Sequence, residues 1–130
     1  MLLPLIFALA VAPAGAPPLS KEMPQRIVSL NLCADQIIAR LVPKERIASV
    51  TFLAAEPHSS SVADLVNGIP TNQGLAEEVI GLDPDLVLAG QYTARGAVGF
   101  LKRHDRAVID LGVPESFAAT KIQIMELAGA

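Results

Sequence analysis

The chain has 130 residues, enough for one domain or one lobe of a larger protein, and its 52% hydrophobic and 18% charged content excludes intrinsic disorder. Ten Lys+Arg against thirteen Asp+Glu give a formal charge of -3 with no basic stripe, and aromatics are only 4% with no Trp, so no nucleic-acid partner is expected. One cysteine, Cys33, rules out an internal disulfide and any CxxC zinc or redox site.

Residues 2–11, LLPLIFALAV, form an apolar run too short to cross a bilayer, where about 20 residues are needed, but suited to the core of a secretory signal. The small residues Ala12, Ala14 and Gly15 place cleavage after Ala14, so 1–14 is expected to be a signal peptide. No Lys or Arg precedes the apolar run. No cysteine follows it for lipid attachment, and a soluble periplasmic product is the expectation. Residues 15–23 read as an extended, Pro-bearing leader.

From residue 24 the pattern alternates strand and helix. Residues 26–30 make a buried strand, and a helix starts at Asn31 or Cys33, carries Asp35 in its first turn and Ile37, Ile38 and Leu41 on its apolar face, and ends at Pro43. A second strand covers 46–51. A long loop over 52–60 leads to a short helix at 62–66, opened by Ser61 and Asp64 and closed by Asn67-Gly68, and 69–74 is a loop. A helix over 76–82 stops at Asp83-Pro84, and the apolar run 86–89 is a third strand with both faces covered. Residues 94–103 read as a helix with Val98 and Leu101 inward and His104 at its end, 107–111 as a fourth strand, and Pro114-Glu115 opens a final amphipathic helix through Leu127.

This alternation predicts an α/β, Rossmann-like lobe with a mostly parallel four-stranded sheet flanked by helices. Ligands bind such sheets outside the carboxyl ends of the strands, which singles out residues 30–33, 52–60 and 90–95. The turn after the first strand has no GxGxxG, and no GxxxxGK[ST] occurs. The Asp83-Pro84-Asp85 carboxylate pair precedes its strand, at the opposite end, and reads as a helix stop. Cys33 is expected to be a small buried thiol rather than a nucleophile, since only His58 and His104 are available as a base. Two histidines in unlike contexts do not make a bare metal-ion site. No enzyme activity is expected.

The stretches Pro24-Gln25-Arg26-Ile27-Val28-Ser29-Leu30, Arg46-Ile47-Ala48-Ser49-Val50-Thr51 and the run 77–89, with its Leu82-Asp83-Pro84-Asp85-Leu86-Val87, together resemble the periplasmic iron-siderophore/cobalamin-binding domain family. These are substrate-binding proteins of ABC importers, two α/β lobes joined by a long helix. The resemblance runs from about residue 24 to the end. It implies an N-terminal α/β lobe over 24–114, with 115–130 as the start of the interlobe helix. The second lobe is absent from this sequence, and His104-Asp105-Arg106-Ala107 stands where the family usually has a Gly-x-Pro turn. An N-terminal fragment with a half-built cleft is therefore expected, and a truncated α/β fragment without transport function is the alternative.

The resemblance also implies a small-molecule metal chelate as ligand (ferric siderophore, haem or cobalamin), no resident cofactor, and an ABC permease at the inner membrane as partner. It places the cleft on the same three loops. Ser29, Asn31 and Cys33 border the first turn, where free N–H groups meet an anionic group or serve as helix caps. His58 is read either as touching a ferric centre, haem or corrin or as a solvated loop residue. Tyr92, the only tyrosine, packs on a flat macrocycle or binds ferric iron, and is the leading site residue. Arg95 pairs with an anionic siderophore or is solvated, and Asn72 and Gln73 reach the rim. Glu56, Glu77 and Glu78 are candidates for docking permease arginines.

Overall fold

A computed structural model describes residues 22–130. The proposed signal peptide 1–14 and most of the leader 15–23 lie outside the described residues. Five strands form the sheet: β1 (Ile27–Ser29), β2 (Ile47–Thr51), β3 (Thr71–Asn72), β4 (Leu86–Gly90) and β5 (Val108–Leu111). Their order is β3-β2-β1-β4-β5, and every registered pair is parallel. The helices are α1 (Leu32–Leu41), α2 (Ala76–Gly81), α3 (Arg95–Arg103) and α4 (Phe117–Ala128), with 3-10 turns at Lys44–Arg46 and Phe52–Ala55. None of these helices is long and apolar enough to cross a membrane.

The strand residues alternate between two cores, as a pleated strand with period two requires, except in β2, where the register against β1 shifts by one residue and Ile47 and Val50 share a face. Ile27, Ile47, Val50, Leu86, Leu88 and Leu111 face α1, the turns at 61–68 and Leu127 of α4. Val28, Val87 and Ala89 face the other way, onto Val79 of α2 and Val98 and Leu101 of α3. Asp110 takes its turn on the α3 side, where Arg95 and Lys102 neutralise it. The covered central strands explain why β4 is apolar without alternation in the sequence.

Several expectations are corrected. The sheet has five strands rather than four. β3 falls in the segment read as loop, because two polar residues give no periodic signal and their pairing is imposed by β2, through Val50↔Thr71 and Thr51↔Asn72. The helix expected at 62–66 is a run of hydrogen-bonded turns. Leu65 and Val66 N–H donate to the Val62 carbonyl, and Gly68, at φ +84°, takes the chain out of helical geometry, with Ile69 N–H turning back to the Val66 carbonyl. α4 begins at Phe117, not Pro114-Glu115, because the Ser116 hydroxyl caps it by accepting from Ala119 N–H at 3.1 Å. Leu41, expected on the apolar face of α1, is exposed, while Ile38 is buried.

The opposite end of the sheet is closed by a polar clasp. The Asp85 carboxylate accepts from Gln25 N–H at 2.6 Å and Arg26 N–H at 2.9 Å, and the Arg26 guanidinium donates to the Leu82 carbonyl. Arg106 pairs with Asp83 at 2.7 Å. The Asp83 and Asp85 carboxylates therefore tie the residues entering β4 to those entering β5 and β1, at the end of the sheet opposite the strand exits.

Candidate functional site

The strand order places a topological switch point between β1 and β4. The chain leaves β1 for α1 on one face and leaves β4 for α3 on the other, so the two exits diverge and open a crevice. Its floor is a hydrogen-bonded seam. Leu30 N–H donates to the Leu88 carbonyl at 2.8 Å, and Thr93 Oγ1 accepts from Gly90 N–H at 3.1 Å and lies 3.3 Å from the Leu30 carbonyl. Asn31 caps α1, its Oδ1 accepting from Ala34 N–H at 3.1 Å. A Cβ at position 90 would overlap the Asn31 amide nitrogen and stand 2.8 Å from Thr93 Oγ1, so only glycine lets the two exits approach this closely.

Two shallow hollows flank the seam. One, of about 140 Å³, lies between Asn31, Tyr92, the 112–114 turn and Gln123 of α4. The other, of about 240 Å³, lies between Leu32, Phe52, Leu53, Gln73 and Ala94. Asn31, Cys33 and Thr93 line both. A larger groove of about 440 Å³ runs between α1 and the end of α4, among aliphatic residues such as Ile37, Leu41 and Leu127, away from the strand exits.

Beneath the second hollow, two buried polar side chains lock the strand ends. Asn72, only 2% exposed, donates through its amide to the Ser29 carbonyl, Ser49 Oγ and the Val50 carbonyl at 2.9–3.0 Å, and its Oδ1 accepts from Gly74 N–H. Asp35, fully buried, accepts from Thr51 Oγ1 at 2.5 Å and from Thr51 N–H. Burial pushes its carboxyl from 3.8 up to about 6, against the opposing pull of the Ser29 and Thr51 hydroxyls and the Thr51 N–H.

The expected site residues divide accordingly. Tyr92 is 74% exposed, lines the first hollow and accepts from the Gln91 side-chain amide at 3.0 Å. Asn31 lies at the centre, and Gln73 is exposed on the second hollow. Ser29 faces inward, and Asn72 lines the second hollow from its floor, only 2% exposed, because its amide is used within the strand exits. Arg95 is held by Asp110 at 2.7 Å and lines neither hollow. The Lys102 and Arg95 hydrogen bonds hold the Asp110 carboxyl below its usual range. His58 lies exposed in the turn after Phe52–Ala55 and lines neither hollow. Cys33 is exposed in the first turn of α1, not a buried thiol.

Three further residues belong to the site, two of them inside the 90–95 loop that the strand exits single out. Gln91 and Thr93 flank Tyr92, and that adjacency is the signal that points to them. Gln123 reaches the site only by tertiary packing and has no local signal.

No family model matches the chain. It is 36% identical over 66 residues to a cobalamin-binding protein of Halobacterium salinarum, a match that covers 51% of this chain and 18% of that protein. Among solved structures, the periplasmic vitamin B12 binding protein BtuF of Vibrio cholerae aligns with a TM-score of 0.65 at 18% identity, covering 82% of this chain and 41% of that one. A possible iron-binding periplasmic solute-binding protein of Staphylococcus epidermidis aligns at 0.63 and 22%, covering 82% and 46%. The haem-binding protein RhuT of a Roseiflexus species aligns at 0.62 and 22%, covering 81% and 41%. The chain thus spans less than half the length of each of these proteins. Its fold is that of one lobe of the periplasmic iron-siderophore/cobalamin-binding proteins, the family its sequence resembles, and the partial coverage fits their N-terminal lobe.

Proposed function

We propose that this chain is the N-terminal lobe of a periplasmic substrate-binding component of an ABC importer for a metal chelate: a ferric siderophore, haem or cobalamin. The observation that carries this reading is the exposed Tyr92 beside two hollows at the switch point between β1 and β4. A phenol presented there, next to the Asn31 and Gln91 amides, packs against a flat ligand and offers it a hydrogen bond. The role on this reading is binding, as the names of the aligned solute-binding proteins suggest. The ABC permease at the inner membrane is the partner on this reading. Of the acidic residues considered for docking it, Glu78 is already engaged, accepting from Gln73 and Leu75 N–H, which leaves the exposed Glu56 and Glu77.

One lobe offers part of the contact area of a two-lobed receptor. Each missing 1.4 kcal/mol weakens binding about tenfold, so this chain binds weakly compared with a full-length receptor. The test is titration of haem, cobalamin and ferric siderophores against the chain and its Tyr92→Ala variant. At least one ligand should bind, and Tyr92→Ala should weaken it about tenfold or more. Unchanged affinity in the variant refutes the site, and no binding by any ligand refutes the transport reading.

A further inference from the structure

Among the described residues that line the two hollows, none carries a charged side chain. The polar groups offered are the amides of Asn31, Gln73, Gln91 and Gln123, the hydroxyls of Tyr92 and Thr93, and the exposed Cys33 thiol, with Thr51 and Asn72 buried in the floor. The charges nearby are either occupied or of the wrong sign for an anion. The Arg95 guanidinium is committed to Asp110 and to the Gly90 carbonyl, and Asp110 also takes Lys102. The Glu78 carboxylate closes the turn before α2, Glu126 sits beyond the 112–114 turn, and Asp35 is buried under the floor. α1 turns its positive end to the crevice, but Asn31 caps it and Asp35 sits in its first turn.

A carboxylate or catecholate entering this crevice would lose water and gain no opposite charge, which is unfavourable. An amide-bearing ligand would exchange water for matched donors and acceptors. From this, and resting on the binding function proposed above, we infer that the site selects an uncharged, amide-bearing metal chelate and discriminates against anionic ones. Two ligand types share that chemistry, a corrinoid with its fringe of amide side chains and an uncharged ferric trihydroxamate.

The test uses Tyr92 itself. As the only tyrosine in a chain without tryptophan, it makes the emission of the protein originate at this site. Cyanocobalamin, ferrichrome, haemin and a ferric tris-catecholate are titrated in parallel, with inner-filter correction, at low and high salt. Cyanocobalamin or ferrichrome should act at concentrations at least about tenfold below the two anionic probes, with little salt dependence, and whichever acts identifies the ligand type. Gln91→Arg, which adds a cation at an exposed position on the first hollow, should narrow or reverse that preference. Tighter, salt-sensitive binding of haemin or the catecholate overturns the charge selection while leaving the binding function standing. A preference untouched by Gln91→Arg also counts against it. If no probe acts, the binding function falls and the selection falls with it.

Discussion

Replacing Asp35 by asparagine tests the electrostatic reading of the strand exits. The carboxyl is fully buried and its pKa stands at about 6, above the ordinary 3.8. A carboxyl raised in the folded state binds its proton more tightly there than in the unfolded chain. Its ionisation therefore costs stability as pH rises through the interval from 3.8 to about 6, and above that interval the full cost is in place. At about 1.4 kcal/mol for each tenfold change in proton affinity, the interval corresponds to about 3 kcal/mol. In the Asp35→Asn variant the side-chain carbonyl can still accept from Thr51 N–H, while the new amide group faces the hydroxyls of Thr51 and Ser29. Urea unfolding of both proteins at pH 3.5, 5, 6 and 7 isolates the effect, because every other titrating group is common to the two. The advantage of Asp35→Asn should grow by about 3 kcal/mol from the lowest to the highest pH and level off above pH 6. A difference independent of pH, or a variant that loses ground as pH rises, would refute the role given to Asp35.

Other changes probe the same frame. Gly90→Ala should destabilise by about 1–3 kcal/mol in urea unfolding, since its Cβ displaces the Asn31 amide and crowds Thr93. Asn72→Ala strips the buried Ser29 and Val50 carbonyls of a donor and should lower stability by about 2–4 kcal/mol by the same measure. Ala94 sits in the left-handed region at φ +49°, so Ala94→Gly should raise the thermal midpoint by a few degrees, about 0.5–1 kcal/mol. Phe117, 97% exposed, and its neighbours Ile122 and Met125 leave an apolar surface on α4. Phe117→Ser with Met125→Ser should therefore reduce self-association in sedimentation while changing unfolding stability by less than about 0.5 kcal/mol.

The framework of this lobe is legible where local chemistry decides it. β1, β2, β4 and β5 are runs of branched apolar residues, Asn31 is a cap in front of an apolar face, and Pro84 ends a helix. β3 is not legible, because Thr71 and Asn72 become a strand only through β2, and the Asn72 amide is buried only because β1 and β2 bring three acceptors to it. The site follows the same division. The loops after β1 and β4 are legible because parallel topology fixes which end of the sheet is open. The fates of individual side chains depend on contacts across the fold. Arg95 is drawn to Asp110 once α3 packs on β5, and Ser29 turns inward with the pleat of β1.

The central claim is that ligand binding occurs at the switch point between β1 and β4. Amide chemical-shift mapping of the labelled chain during a cyanocobalamin titration tests it most directly, because weak binding suffices. Progressive shifts are expected at Asn31, Cys33, Gln73 and residues 90–94, with α1 beyond Ile37 and the last turn of α4 unmoved. Shifts concentrated instead around Leu41 and Leu127, in the aliphatic groove between α1 and α4, would contradict it.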